Sequence, residues 1–393
     1  MSNAPFLDLA DPGFSTRSSE VHAARRKSWY ARTPYGIAIL RHREAGLLLR
    51  DRRLRQGSHA WPRVTGLEGS FARFWTNSVI AQEGARHKHL RGLFQRAIRP
   101  EHIAEMTPAF EEIASDLIDG FGKRPEVEFM EAFATRFAGQ AICTLLGLPR
   151  SDWRRVAEDA SCLGLAMGID AKRHEKAVND ATDRLFALAA DLVDCAAEGQ
   201  AGFVARLLAE GGDLQRDELL NLIVIAIFGG IDTTRAQLGL GMSLFAEHPE
   251  QWARLRRDPE LIPAAIEETI RARPTTTWST REALESFEFE GLQIGQGQTI
   301  HILSHATASD SRISETPGFD VEASRKMHFG FGGGAHHCLG ASVARTDIAA
   351  ALRVLTRRIS AFSTAGAPAF LPETGNTSPV SLPLRLTYSD LGS

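Results

Sequence analysis

The feature that most constrains this chain is a stretch from roughly Arg216 to His248 in which apolar residues recur at helical spacing. At 1.5 Å per residue such a helix spans about 50 Å, enough to traverse most of a body of this size. Its longest apolar run, Leu219 to Phe228, is interrupted by Asn221 and falls short of the roughly 20 residues that cross a bilayer. The chain is therefore read as soluble, with no membrane anchor. Around the long stretch, from about residue 85 to 261, the pattern is almost entirely helical; AEMTPAFEEIASDLIDGF and DATDRLFALAADLVDCAAEG place apolar residues three and four apart. Short β segments are expected at Tyr35 to Leu40, followed by a helix, and in FEFEGLQIGQGQTIHILSHAT, where alternation is broken by glycine turns. Between these regions DPELIPAAIEETIRARP reads as a helix that Pro274 ends. No fixed-period repeat, low-complexity tract or Pro/Ser-rich linker separates domains. The expected architecture is one domain over residues 1–393, mainly α with small β-sheets at one side.

Lys and Arg total 45 against 48 Asp and Glu, for a net charge of -3, which is far from the basic balance of a nucleic-acid binder. Cys143, Cys162, Cys195 and Cys338 are widely spaced and form no CxxC pair, so a reducing, cytoplasmic setting is expected. The start, MSNAPFLDLADPGF, has no basic region followed by an apolar one, which argues against a signal peptide.

The segment HFGFGGGAHHCLGASVAR, His328 to Arg345, holds glycines, two adjacent histidines and a cysteine ahead of a helix expected to begin near Leu339. Three chemistries compete for it. Gly330-x-Gly332-x-x-Ala335 superficially fits a dinucleotide fingerprint, but RKMHF is no buried strand and no acidic residue follows between Asp347 and Glu373 to hold a ribose. His336, His337 and Cys338 could ligate zinc, yet contiguous residues rarely converge on a tetrahedral ion and a second ligand pair is missing. In the third reading Cys338 is a thiolate on haem iron. A helix N-terminus lowers the pKa of a cysteine beside it, and glycines let backbone approach a flat macrocycle. For Cys143, Cys162 and Cys195 a buried structural thiol is the natural reading.

Inside the long helix lies Phe228-Gly229-Gly230-Ile231-Asp232-Thr233-Thr234. Two glycines in a helix interior cost about 1 kcal/mol each relative to alanine, and paired threonines add rotamer restriction. Such a composition suits a place where a ligand approaches the backbone and meets a proton donor. Gly229, Gly230 and Thr233 lie three and four apart and share a face. Glu268 and Arg271, three apart on a predicted helix, can form an ion pair of a kind usually found on solvated surfaces.

Phe331-Gly332-Gly333-Gly334-Ala335-His336-His337-Cys338-Leu339-Gly340 resembles the haem-binding signature F-G-x-G-x-H-x-C-x-G of the cytochrome P-450 family. The resemblance implies haem b with Cys338 as its axial ligand, Phe331 near the sulfur and His336 on a propionate. His337 departs from the usual apolar residue before the ligand. Gly229 to Thr233 resembles the oxygen-activation motif A/G-G-x-D/E-T, which makes Asp232 and Thr233 an acid and alcohol pair delivering protons to bound dioxygen. His87 and Arg91 match an H-x-x-x-R propionate pair, and Arg281 matches a further propionate arginine. Glu268 and Arg271 resemble the structural E-x-x-R, with Arg325 as a third partner shifted from its usual place after Phe-Asp. The likeness runs from the N-terminal strand through LLGLP, Leu145 to Pro149, to SPVSLPLRL, and implies a triangular, helix-rich fold.

Family pocket positions fall on Phe74, Trp75, Ile225, Phe228 and Gly229, and on Thr277, Trp278 and Pro379. Their aromatic and aliphatic character leads us to expect a mainly apolar small-molecule substrate, terpenoid, steroid-like or polyketide-derived. With no fused reductase, electrons are expected from NAD(P)H through a separate ferredoxin and ferredoxin reductase. Arg91, Arg325, Lys326 and Arg345 are expected to receive that acidic partner. Two other readings share the scaffold: a peroxide-driven, ring-forming or desaturating oxidase, and a non-catalytic haem sensor or carrier.

Overall fold

This computed structural model describes residues 4–168, 170–199, 202–212, 214–313 and 318–389. The helices that carry candidate site residues are α1 (Gly69–Asn77), α2 (Gly84–Ala97), α3 (Thr135–Leu146), α4 (Trp153–Gly164), α5 (Glu175–Ala197), α6 (Arg216–Glu247), α7 (Ile262–Ala272) and α8 (Ala341–Arg358). The long helix is α6, within one residue of its expected end. Asp217 and Glu218 meet the positive end of its dipole. It stops at His248, whose backbone turns extended (φ -130°, ψ 66°) because Pro249 follows and disfavours the helical conformation there. The same rule ends α7: Arg273, before Pro274, takes φ -145° and ψ 74°.

One expectation about α6 needs correction. Apolar residues continue past Phe228 through Leu238, Leu240, Leu244 and Phe245, so the helix is long and apolar enough to cross a membrane by length and composition. Two-thirds of its most apolar window is nevertheless buried inside the protein, as in a core helix.

The chain divides into two compact units, each assembled from separated stretches. The first comprises the described residues of 1–58, 236–338 and 359–388. It contains a five-stranded sheet of β1 (Tyr30–Thr33), β2 (Gly36–Ile39), β3 (Leu54–Gln56), β4 (Trp278–Ala283) and β5 (Thr299–Leu303), ordered β1-β2-β5-β4-β3. Only the β2–β5 pairing is parallel, with Ile37 opposite Ile300 and Ile39 opposite Ile302. One face of that sheet buries these isoleucines with Leu48, Leu49 and Phe329; the other buries Ala38 and Leu303 with Leu7, Leu9 and Val21. The expected first strand shortens to Gly36–Ile39, and its hairpin partner Tyr30–Thr33 was not anticipated, because a four-residue strand carries too little alternation to stand out.

The second unit holds 59–235 and 339–358, so the chain crosses between units inside α6, after Arg235, and again directly after Cys338. Its core joins Phe71, Phe74 and Trp75 of α1, Ile142 of α3, Leu163 of α4, Leu185 of α5 and Ile223, Ile227 and Ile231 of α6. Within the region expected to be helical, a short strand, Glu126–Glu128, precedes a single π turn, Met130–Ala134. Phe129, Phe133 and Phe137 stack in succession there, with ring centroids 5.2 and 5.6 Å apart.

In the first unit a buried ionic cluster forms around Glu268. Arg271 donates from Nε to Oε2 at 2.6 Å and from Nη2 to Oε1 at 2.8 Å. Arg325 donates to the same oxygens at 3.2 and 3.1 Å, and the Asp320 N–H adds a bond to Oε1 at 3.0 Å. Both guanidinium groups also donate to the Gly318 carbonyl. Arg325 therefore fills the third position despite its shifted place in the sequence. The Glu268 and Arg271 side chains are 2% and 3% exposed, so this is no solvated surface pair. Arg325 is 10% exposed with its charge committed to Glu268, which corrects the expectation that it receives an acidic partner; Lys326 beside it is exposed. Removing the one anion from between two buried guanidiniums leaves both uncompensated, so Glu268→Gln is expected to destabilise the protein by about 3–5 kcal/mol in chemical denaturation.

Candidate functional site

The cysteine loop is shaped by how closely its backbone approaches its surroundings. Gly334 has φ +68°, and a Cβ there would lie 2.0 Å from the Leu49 carbonyl oxygen, so only glycine fits. A Cβ on Gly330 would stand 2.5 Å from Ile270 Cγ2. The loop closes on itself: the Gly332 N–H donates to the Phe329 carbonyl at 2.8 Å and the Cys338 N–H to the Phe331 carbonyl at 2.9 Å. A single turn of 3-10 helix, Gly334–His336, lies between, and the Phe331 and His337 rings are tilted at 6.2 Å. Cys338 emerges exposed. The following helix begins at Ala341 and not near Leu339, since Leu339 and Gly340 form a turn. Arg281, buried on β4, donates from Nη2 to the Gly333 carbonyl at 3.1 Å and from Nη1 to Gln56 Oε1 at 2.6 Å. The first unit thus carries Cys338, Phe331 and His336 on one loop that Arg281 braces from β4.

The acid and alcohol pair lies in the second unit. On α6, Gly229 is exposed although Ile227 and Ile231 beside it are fully buried, and no atom comes within 4 Å of where its Cβ would be. A Cβ on Gly230 would instead lie 2.8 Å from Ile142 Cδ1. The two adjacent glycines therefore have separate causes: Gly230 admits α3, whereas Gly229 opens the helix surface. One turn on, the Thr233 hydroxyl donates to the Gly229 carbonyl at 2.5 Å, which leaves the oxygen's lone pairs free to accept.

Asp232 is held by Arg235 Nη2, 3.4 Å from Oδ1, and by the Ser161 hydroxyl, which donates to Oδ1 at 3.5 Å. Burial raises its carboxyl above the ordinary aspartate range, and the Arg235 charge and the two hydrogen bonds offset part of that rise. Thr234 donates to Asp347 Oδ2 at 3.4 Å, tying α6 to α8. Burial pushes the Asp347 carboxyl well above its usual range, just ahead of the apolar segment IAAAL, and hydrogen bonds from the Ile348 N–H and Thr234 offset part of the rise. Sequence reasoning missed Asp347 and Ser161. The first had a signal, an aspartate entering an apolar helical run; the second had none.

His87 is buried and Arg91 half-buried, four apart on α2. The expected pocket residues divide between the units. In the second, Phe74, Trp75 and Phe228 form an aromatic cluster with Phe71 and Phe186, with Trp75 and Phe228 edge to face at 6.3 Å, and Ile225 packs in the same core. Asn221, the one polar residue in that stretch of α6, donates to the Phe74 carbonyl at 3.0 Å. In the first unit, the Thr277 hydroxyl accepts from the Gly375 N–H at 3.0 Å, Trp278 packs against the Leu7 and Leu9 cluster, and Pro379 is buried. The side chains of Thr277 and Trp278 are thereby occupied within that unit's own packing.

Comparison with known proteins identifies the family. A family model described as cytochrome P-450 matches residues 156–366, more than half of the chain. Luteothin monooxygenase of Streptomyces thioluteus is 34% identical, covering 98% of this chain and 96% of its own length. Nocardicin C N-oxygenase of Nocardia uniformis subsp. tsuyamanensis is 30% identical, covering 96% of each. Among solved structures, the cytochrome P-450 CxnD, described as acting in C–S bond formation in chuangxinmycin biosynthesis, superimposes with a TM-score of 0.85 at 25% identity over 98% of each chain. The chain belongs to the cytochrome P-450 family and is a monooxygenase of that family.

Proposed function

We propose that this chain is a haem-thiolate monooxygenase of secondary metabolism, oxidising a mainly apolar small molecule with electrons from a separate ferredoxin. The observation that carries the reading is the exposed thiol of Cys338, delivered by a loop whose glycines admit no side chain where it meets Leu49 and Ile270. The other residues suit a flat, dianionic macrocycle. Gly229 leaves open space on its helix, and the family resemblance assigns Arg281 and His336 of the first unit, and His87 and Arg91 of the second, to the two propionates. Phe331 shields the sulfur. When bound, haem supplies the redox chemistry that splits dioxygen and inserts one oxygen atom into substrate.

The chain's own contribution is to hold and move protons. The half-buried Asp232 carboxyl, its affinity for a proton raised, takes one from solvent and passes it towards Thr233 Oγ1. Because Thr233 spends its own hydrogen on the Gly229 carbonyl, its oxygen is oriented as an acceptor. This pair is the observation that separates a monooxygenase from a haem carrier, which has no use for it. The aromatic cluster of Phe71, Phe74, Trp75 and Phe228 favours an apolar substrate, and relatives named for luteothin and nocardicin C support a role in secondary metabolism. The likeness to a C–S bond-forming protein supports a second reading, oxidative ring or bond formation on the same scaffold. Exposed Lys326 is a contact for an acidic ferredoxin.

In the reduced, carbon monoxide-treated protein, a strongly red-shifted Soret band is expected for the wild type and absent for Cys338→Ser; the band of a histidine-ligated iron in the wild type would defeat the reading. For Thr233→Ala, haem binding is expected to persist while product formed per NAD(P)H consumed falls about tenfold or more. Turnover under labelled dioxygen separates the two chemistries: label in the product supports oxygen insertion, and an unlabelled cyclised product supports bond formation.

A further inference from the structure

Gly164, the last residue of α4, has φ -57° and ψ -30°, an ordinary right-handed helical conformation open to any residue. Leu165 after it is also right-handed, so Gly164 serves no left-handed helix cap. A helical glycine costs about 1 kcal/mol relative to alanine, and nothing in the local backbone calls for that cost. The explanation lies across the helix interface. A Cβ on Gly164 would stand 2.7 Å from Asp232 Oδ2, and the only other nearby atom is Cγ of the same carboxyl group at 4.0 Å. Ser161, three residues earlier and so on the same face of α4, donates to Oδ1. Arg235 reaches Oδ1 from the next turn of α6. One carboxylate oxygen is therefore held by hydrogen bonds and an ion pair, while the other rests where a side chain is missing.

We propose that Gly164 is a positioning residue for Asp232: its missing side chain is the seat that fixes the carboxyl group beside Thr233. The inference rests on the reading of Asp232 as the proton-delivering acid. A methyl group at residue 164 meets only the end of a short side chain, so the carboxyl group rotates away while α4 and α6 keep their places. Position 164 therefore acts on proton delivery through the Asp232 carboxyl group, which is what its Cβ would meet.

The test compares Gly164→Ala, Asp232→Asn and the double variant as purified holoproteins. For Gly164→Ala we expect an unchanged or higher Tm, wild-type haem content and carbon monoxide spectrum, and a crystal structure with the Asp232 carboxyl group turned from α4. Product per NAD(P)H consumed is expected to fall about tenfold, with a larger solvent deuterium isotope effect on turnover. The double variant should be no worse than Asp232→Asn alone, because both changes act through one group. Wild-type coupling in Gly164→Ala beside an uncoupled Asp232→Asn overturns the inference and leaves the proton-delivery reading standing. A lowered Tm with an unmoved carboxyl group also overturns it, since the helix has then yielded in place of the side chain. Wild-type coupling in Asp232→Asn defeats the proton-delivery reading itself.

Discussion

The close approach of the cysteine loop to Leu49 and Ile270 is the contact on which the first unit's chemistry depends. Gly330 and Gly334 let backbone lie where a Cβ would collide with a carbonyl oxygen or a methyl group, and the strand arginine Arg281 pins the Gly333 carbonyl from beneath. Ile270 belongs to α7, the helix that also carries Glu268 and Arg271. The ionic cluster and the cysteine loop thus share one support. Disturbing the cluster moves the wall against which the loop is folded, so an ion pair remote from any reacting atom constrains where the Cys338 thiol is presented.

The second unit solves a different problem, which is how to bury a helix as apolar as α6 and still keep part of it accessible. The aliphatic residues Ile223, Ile227 and Ile231 face the core, Asn221 donates its amide N–H to the Phe74 carbonyl, and Gly230 takes up the contact with α3. That leaves Gly229 open and the hydroxyl of Thr233 one turn away, hydrogen-bonded back to the helix. Asp347 braces the next residue, Thr234, by accepting its hydroxyl, on a carboxyl group whose proton affinity burial raises.

What could be read from the amino-acid order was what neighbours in sequence determine. The span of α6, the end of α7 before Pro274 and the Glu268–Arg271 pairing rest on local spacing, whereas the acid–alcohol pair and Arg325 were singled out by resemblance to the family's motifs. The two-residue delay of α8, the hairpin partner Tyr30–Thr33 and the π turn were not legible; each depends on a short-range choice that tertiary packing decides. Gly229 and Gly230 looked alike in sequence and differ only in which helix lies across from them. Ser161 and Gly164 were invisible for the same reason, since a glycine that makes room for a distant carboxylate leaves no mark in its own surroundings.

The division of the chain has a consequence for how such a protein can diversify. Residues 59–235 form one uninterrupted block that contains the aromatic cluster, His87 and Arg91, Gly164 and the acid–alcohol pair, whereas the cysteine loop, Arg281 and the Glu268 cluster lie outside it. A single recombination cassette with two junctions therefore exchanges the aromatic cluster and the acid–alcohol pair together, while the glycine-rich loop that carries Cys338 is inherited intact. Its downstream junction, however, falls inside a continuous helix, so donor and recipient must agree in helical phase at Arg235 and Ala236 as strictly as two lengths of a coupled shaft.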